Sequence, residues 1–332
     1  MKHLLEDKKI NTVFNILHDK IRKKAHSSQE YPKIIFICGK DIYDDKGKQK
    51  SKEILASELN KRYFLINKLE ESNFKVKGST YLKNYCIVAE NLYDHNELKD
   101  LLTFEGILGE ISEKIIVILE SEGTCCELGA FSYSDELMKK IIVINNDDYI
   151  EKRSFIRLGP LKKIELKDES SIIYSPYKYD EFIKEYRVLD MCKEISELES
   201  SYKPNKNESQ VELKSLIYEI MNIIEIFQPI QKEEILGLYK KFTGFRAFTI
   251  KNCAKHNIRN ITHLLELLSK MQMIEKRADY YMCNERVTFY NSLFNIDRNE
   301  YNKLRTKINS AMYQNFSERM EINENESIAE NE

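Results

Sequence analysis

The chain has no tryptophan, only five prolines and ten glycines in 332 residues, and no excess of either charge. The missing tryptophan says nothing about mechanism; the other gaps exclude more. Lysine and arginine number 52 against 54 aspartates and glutamates, a formal charge of -2. No global field announces a polyanionic partner, so any nucleic-acid surface has to be local. No stretch approaches the ~20 apolar residues of a membrane span. The lysine-rich opening, Met1 to Lys24, has no continuous apolar core and does not read as a secretion signal. The seven cysteines (Cys38, Cys86, Cys125, Cys126, Cys192, Cys253 and Cys283) show no zinc-ligand spacing, and several sit inside apolar runs. An odd count in such places fits reduced thiols of a cytoplasmic protein better than a disulfide framework. No metal and no cofactor is expected. No Walker A sequence and no Gly-x-Gly-x-x-Gly follows any apolar run, which argues against a phosphate-cradling loop.

What is present is 42% hydrophobic and 32% charged, enough for two cores under a solvated exterior. Four runs, Ile34–Cys38, Tyr85–Ala89, Ile115–Leu119 and Ile141–Ile144, are rich in Ile and Val without alternation; a weaker fifth is Ile164–Leu166. Such runs read as strands buried on both faces. Helical periodicity separates them: Ser51–Tyr63, Asn96–Ile111 and Glu127–Lys139. The alternation predicts an α/β, doubly wound (Rossmann/flavodoxin-like) parallel sheet. The expected order is a helix over 1–29, the α/β domain over 30–170, and a helical connector and linker over 171–210. A smaller, mostly helical domain follows over 211–292, then a last helix and acidic tail over 293–332.

Ligands of open parallel sheets bind beyond the carboxyl ends of the strands. Residues there are Gly39-Lys40-Asp41, Glu90-Asn91, Glu120 to Thr124, and Asn145 to Asp148. Carboxylates and amides dominate this rim, which suits a hydroxyl-rich sugar and a developing positive charge better than a bare polyphosphate. The expected binding residues are Gly39, Lys40, Glu90, Ser121, Gly123, Thr124 and Asn145. The informative segment is Glu120-Ser-Glu-Gly-Thr-Cys-Cys-Glu-Leu-Gly-Ala-Phe-Ser132. A helix expected to begin near Thr124 puts Glu127 in its first turn, where the dipole favours an ionised carboxylate by ~0.3–1 kcal/mol. Such a carboxylate can stabilise an oxocarbenium-like centre or attack it. The competing reading makes Thr124 the N-cap and Glu127 the return arm of a capping box. Gly129 favours the first reading, because glycine near a helix start costs ~1 kcal/mol and implies clearance for a ligand or neighbouring backbone.

The Glu-Ser-x-Gly-Thr-x-x-Glu-Leu-Gly-Ala-Phe-Ser segment after a hydrophobic strand resembles the nucleoside 2-deoxyribosyltransferase superfamily. More closely it resembles the deoxyribosyltransferase-like effectors of bacterial retrons. Ile35–Lys40, Leu101–Glu105 and Ser154–Pro160 support the likeness. The resemblance implies that Glu127 attacks the anomeric carbon and expels the base. Glu105 either matches an assisting acid or is a solvent-facing helix residue. Where the family carries an Asp that handles the base, this chain has Ser121. The resemblance therefore implies N-glycosidase chemistry on a nucleotide, with NAD leading because its cationic nicotinamide leaves without prior protonation. It also implies a toxic antiviral effector restrained by a reverse transcriptase and its msDNA (a DNA–RNA hybrid), and self-association into a homo-oligomer. Two other readings stand beside it: a non-catalytic nucleotide-sensing regulator, and a salvage deoxyribosyltransferase.

In the second domain the patterns Val211–Phe227, Gln231–Lys241 and Asn260–Met271, with a hairpin over Met273–Met282, predict three helices and a wing, the winged-helix order. Leu304–Met320 is expected as a last helix. Basic residues gather before the third helix and on the wing. Arg246, Lys251, Lys255, Arg259, Lys276 and Arg277 are the expected nucleic-acid contacts, with Tyr280 and Tyr281 as stacking candidates.

Overall fold

A computed structural model describes residues 4–21, 32–44, 50–71, 74–76, 79–81, 84–92, 101–198, 211–244, 258, 260–284 and 293–321. The chain divides into two compact units, Pro32–Lys75 with Leu82–Ser200, and Met1–Tyr31 with Val76–Tyr81 and Ser201–Glu332. It opens with α1 (Lys8–Asp19). There follow β1 (Lys33–Cys38), α2 (Lys52–Ser57), α3 (Lys61–Glu70), a ribbon of β2 (Phe74–Val76) and β3 (Ser79–Tyr81), β4 (Asn84–Ile87), α4 (Leu101–Ile111) and β5 (Lys114–Ile118). Then come α5 (Glu122–Tyr133), α6 (Asp135–Met138), β6 (Ile141–Asn146), α7 (Lys162–Glu165), β7 (Ile172–Ser175), α8 (Tyr179–Phe182) and α9 (Tyr186–Glu197).

In the α/β unit, β4-β1-β5-β6-β7 form one sheet with every pairing parallel. Residues 34–37 and 115–118 are buried without a break, so neither face of β1 or β5 meets water. Each such Ile or Phe contributes roughly 1.5–3 kcal/mol of burial, which is why the strands do not alternate. The first four predicted strands stand where expected. The fifth does not: Ile164–Leu166 lies at α7, and the fifth strand is Ile172–Ser175. Ile164 is buried but Leu166 is exposed, the spacing of one helix face rather than of a buried strand.

Two helices also differ from expectation. Ser51–Tyr63 is broken, because Leu59 takes φ 52 and Asn60 caps the next helix by accepting from Tyr63 N at 2.9 Å. The Asn60 side chain also donates to Asp41 O at 3.1 Å, tying the loop after β1 to α3. The helix after β5 starts at Glu122, not near Thr124, and breaks at Ser134, which is both its C-cap and the N-cap of α6. The strand order, counted along the chain, is second-first-third-fourth-fifth. It reverses between β1 and β5, and the ligand crevice of such sheets lies at that switch point.

The second unit contains α1, α10 (Leu213–Phe227), β8 (Ile230–Gln231), α11 (Lys232–Phe242), α12 (Ile261–Lys270), β9 (Ile274–Arg277), β10 (Tyr280–Cys283) and α13 (Arg298–Asn315). Its three strands pair antiparallel in the order β8-β10-β9. Asn260 caps α12 as expected, accepting from His263 N at 3.1 Å. The last helix begins six residues earlier than predicted, at Arg298, because Asp297 accepts from Asn299 N and Glu300 N at 2.8 and 2.9 Å. α1 packs on α13, where Asp7, its N-cap, also accepts from Asn315 Nδ2 at 2.7 Å. Arg319 and Glu234 form a buried two-pronged ion pair at 2.8 and 3.0 Å. Among the described residues no helix is long and apolar enough to cross a membrane.

Candidate active site

In α5 the capping-box reading of Glu127 fails. The N-cap of α5 is Ser121, whose Oγ accepts from Thr124 N at 3.2 Å, while Thr124 Oγ1 accepts from Ser121 N at 3.1 Å. The capping box is thus closed by Ser121 and Thr124, three residues upstream of the expected pair, and Glu127 takes no part in it. Glu127 stands in the second turn, beyond the reach of the end charge that a first-turn position would feel. The other argument from this helix also needs correction: a Cβ at Gly129 would meet nothing within 4 Å, so no neighbouring backbone crowds it.

Glu127 is half-buried, and its Oε2 has no hydrogen-bond partner. It belongs to a cluster gathered around the switch point. Cys38 ends β1; Arg62 comes from α3; Glu90 follows β4; Glu105 lies on α4. Arg62 is almost fully buried and grips Glu90 with both guanidinium nitrogens; the Nη2–Oε2 bond is 2.6 Å. Its Nη1 also donates to Gly39 O at 3.4 Å, while its buried Nε is unpartnered. Gly39 makes this approach possible, since a Cβ there would lie 3.2 Å from Arg62 Cβ and 3.3 Å from Ile118 Cδ1. Its service is close packing, not a special turn.

Burial raises the Glu127 carboxyl above its ordinary value. A hydrogen bond from the Cys38 thiol and the charge of Arg62 pull it back, and Glu90 pushes it up. The Cys38 thiol, itself raised by burial and then by Glu127, stays protonated and so remains a donor. Glu105 is buried, and burial together with Glu127 and Glu90 pushes it from 4.5 to about 7. Two carboxyls in one cluster are therefore both raised by burial, with the Cys38 thiol and Arg62 opposing the rise at Glu127 alone.

Two clefts open on the other flank of α5, beyond β5 and β6. The larger, about 480 Å³, is lined by Ser121, Glu122, Cys125, Asn145, Tyr149 and Arg157 among others. The smaller, about 310 Å³, includes Lys40, Lys61, Glu120, Asn146, Tyr149 and Tyr177. Glu127 lines neither. Cys125 and Glu127 stand about 200° apart around the helix, so cleft and carboxylate occupy opposite sides of it. The expected binding residues thus split into two groups. Gly39 and Glu90 join Glu105 and Glu127 around Arg62; Lys40, Ser121 and Asn145 line the clefts. Gly123 is exposed, and Thr124 is spent on the cap. Glu120, beside the Ser121 address, is engaged by Lys61 Nζ at 2.8 Å, and Glu122 is exposed. Tyr133 is 88% exposed, with Lys163 Nζ 5.6 Å from its ring centre.

Sequence reasoning missed Arg62 and assigned Cys38 no role. Nothing in Lys61-Arg62-Tyr63 separates a buried guanidinium from a solvated one; only its place one residue into a helix capped by buried Asn60 was a usable signal. Among the described residues no group of three or more His, Cys, Asp and Glu side chains is placed to hold a metal ion.

In the second unit, Arg246, Lys251, Lys255 and Arg259 lie outside the described residues. Lys276 is exposed on β9, whereas Arg277 is paired with Glu275 at 2.9 Å. Tyr280 and Tyr281 are buried, and Arg319 sits 5.1 Å from the Tyr280 ring centre. The expectation that they stack on a nucleic-acid strand is overturned, because their faces are committed to the core.

The chain is 25% identical over 325 residues to the Escherichia coli protein named "Retron Ec73 putative ribosyltransferase/DNA-binding protein", covering 92% of each chain. It is 40% identical over 73 residues, 22% of this chain and 24% of the other, to the Escherichia coli "Retron Ec86 putative ribosyltransferase/DNA-binding protein". The family model described as STM3845 retron effector protein matches residues 58–276, a span that contains Arg62, Glu90, Glu105 and Glu127, and the chain belongs to that retron effector family.

Proposed function

We propose that the chain is an N-glycosidase of nucleoside deoxyribosyltransferase type, with Glu127 as the carboxylate that meets the anomeric carbon and Glu105 as its acid–base partner. The observation that carries this reading is the displaced capping box: α5 is closed by Ser121 and Thr124, leaving the half-buried Glu127 carboxylate with an unpartnered oxygen at the switch point. Printed names of the relatives, which call them ribosyltransferases, point the same way.

The chemistry is a displacement at C1′. The Glu127 carboxylate attacks the anomeric carbon, or stabilises the cation forming there, as the N-glycosidic bond breaks and its electron pair leaves with the base. Water then takes the sugar, and its proton passes to the Glu105 carboxylate, which titrates near neutrality. The address where the family holds a base-handling Asp is Ser121, a helix cap here. A base that needs no proton suits such a site, and NAD, with its pyridinium leaving group, is the substrate we assign.

The second unit, three helices with a β8-β10-β9 sheet, is a winged helix in this reading. It meets nucleic acid through Lys276 and the basic residues before α12, and the retron's reverse transcriptase and msDNA hold the toxic activity in check. The test is direct. The full chain incubated with NAD releases nicotinamide and ADP-ribose, and Glu127→Gln, which keeps shape and one acceptor, lowers that release by about a thousandfold or more. Release that survives the substitution removes Glu127 from the mechanism; a blank from the wild-type chain, freed of its retron partners, removes the glycosidase.

A further inference from the structure

The larger cleft on the far flank of α5 takes no part in the proposed chemistry, yet a polar group is buried in its wall without a partner. Asn145, near the end of β6, is 5% exposed and lines this cleft. Four asparagines are buried among the described residues, and the other three are tied down. Asn60 accepts from Tyr63 N at 2.9 Å and donates to Asp41 O at 3.1 Å. Asn84 donates to Leu69 O at 2.9 Å and to Ser196 Oγ at 3.1 Å. Asn222 accepts from Leu293 N at 3.0 Å and donates to Tyr301 Oη at 3.3 Å. The Asn145 amide has no hydrogen-bond partner among the described residues, and both of its polar atoms keep some accessible surface. A buried amide without partners costs free energy that an apolar side chain would not. The residues before it on β6 are Ile141-Ile142-Val143-Ile144, so an apolar residue would have continued the strand.

The rest of the lining defines what would satisfy that amide. The cleft holds about 480 Å³. Leu119 and Leu161 are buried in its wall and Ile156 is half-buried, which suits a ligand with an apolar body. Tyr149, 44% exposed, adds an aromatic ring, with Lys152 Nζ 4.2 Å from its centre. Two cations of the lining, Lys152 and Arg157, face two carboxylates, Glu120 and Glu122, and Arg157 is already held by Glu165 through two bonds of 3.2 Å. Balanced charge of this kind does not favour a polyphosphate. An asparagine amide sets an acceptor beside a donor, the complement of adenine's exocyclic amine and the ring nitrogen next to it.

We propose that this cleft is a second ligand site, which takes an uncharged adenine nucleoside with its amine edge against Asn145. Cys125 brings α5 to the cleft from the side opposite Glu127, so the site is separate from the carboxyl cluster. It does not rest on the glycosidase reading.

The test is calorimetric titration of the full chain with adenosine. Adenosine binds saturably, and purine riboside, which lacks only the exocyclic amine, binds about tenfold more weakly or worse. In Asn145→Ala the two ligands bind within about twofold of each other, because the amine has lost its partner. Glu127→Gln binds adenosine as the wild-type chain does. Urea unfolding without ligand leaves the midpoint of Asn145→Ala near wild type, since the amide ties no part of the fold. No saturable adenosine binding, equal affinity for the two ligands in the wild-type chain, or discrimination that survives Asn145→Ala overturns the proposal. Tighter binding of cytidine or uridine overturns the choice of adenine. A midpoint well below wild type in Asn145→Ala assigns the amide to the fold instead, and adenosine affinity lost in Glu127→Gln merges the cleft with the carboxyl cluster; either result also overturns it. If Asn145→Ala does not fold, the wild-type comparison of adenosine with purine riboside still decides.

Discussion

Each unit buries an arginine against a glutamate with two bonds, and the two pairs are built to different ends. In the helical unit the Nη1–Oε2 prong of Arg319–Glu234 has further uses at both of its ends. Glu234 Oε2 also accepts from Gln231 N at 3.0 Å, closing the cap of α11; Arg319 Nη1 also donates to Pro229 O at 3.4 Å, and its plane lies about 5 Å from the rings of Tyr280 and Phe316. Among the described residues neither partner has a fully buried polar atom left without a hydrogen bond. In the α/β unit Arg62–Glu90 leaves an unpartnered Nε and stands beside two carboxyl groups outside the pair. A saturated buried pair is a lock. An unsaturated one, with charge in excess, marks a place where something else is meant to happen.

The largest expected effect separates the two pairs. Arg319→Met destabilises by about 3–5 kcal/mol, because Glu234 is left charged and buried. Adding Glu234→Leu recovers most of that loss, as apolar replacement of a self-contained pair does. The equivalent Arg62→Met with Glu90→Leu recovers much less, since Glu105 and Glu127 still face the vacated position. Equal recovery in the two units, read as urea midpoints, would erase the distinction.

A pH titration sharpens it further. Glu105 is held near 7 against an ordinary 4.5, so between those values the folded chain keeps a proton that the unfolded chain has lost. Stability therefore falls as pH rises through that window, by roughly 3 kcal/mol across it. Glu105→Gln flattens the dependence and leaves the chain more stable than wild type at pH 8. Parallel midpoint curves for the two proteins between pH 4.5 and 7.5 would mean that Glu105 does not carry the excess charge.

The fold was legible where residue type alone decides the environment. Ile and Val runs that never alternate can only be strands covered on both faces, and four of five were placed on that ground. The fifth was missed because Ile164-Glu-Leu166 looks like a strand when read alone. Ile172-Ile173-Tyr174, bracketed by serines and Pro176, was the better signal. In the cluster, Glu127 was singled out by the segment after the third predicted strand; Glu105 came from the resemblance, which left it between an assisting acid and a solvent-facing helix residue, and it is buried. The helix start was not found, because Ser121, Thr124 and Glu127 are spaced so that two overlapping capping boxes fit, and only backbone geometry chooses between them. Arg62 and Glu90 are 28 residues apart and meet only through strand order, which no local pattern encodes.

The smallest predicted effect follows from that cap. Ser121→Ala removes the Thr124 N–H acceptor and costs about 1 kcal/mol, while NAD turnover falls only through looser placement of Glu127. Loss of turnover as deep as that of Glu127→Gln, in a chain with a near-normal midpoint, would make the Ser121 hydroxyl a participant in the chemistry.

The discontinuity of the helical unit orders events during synthesis. α1 leaves the ribosome first, but its packing partner α13 begins only at Arg298. Domains tend to fold as they emerge, so all five sheet strands and the carboxylate cluster are complete while α1 still waits. In this retron effector the α/β unit is thus finished before the unit that carries both α1 and α13.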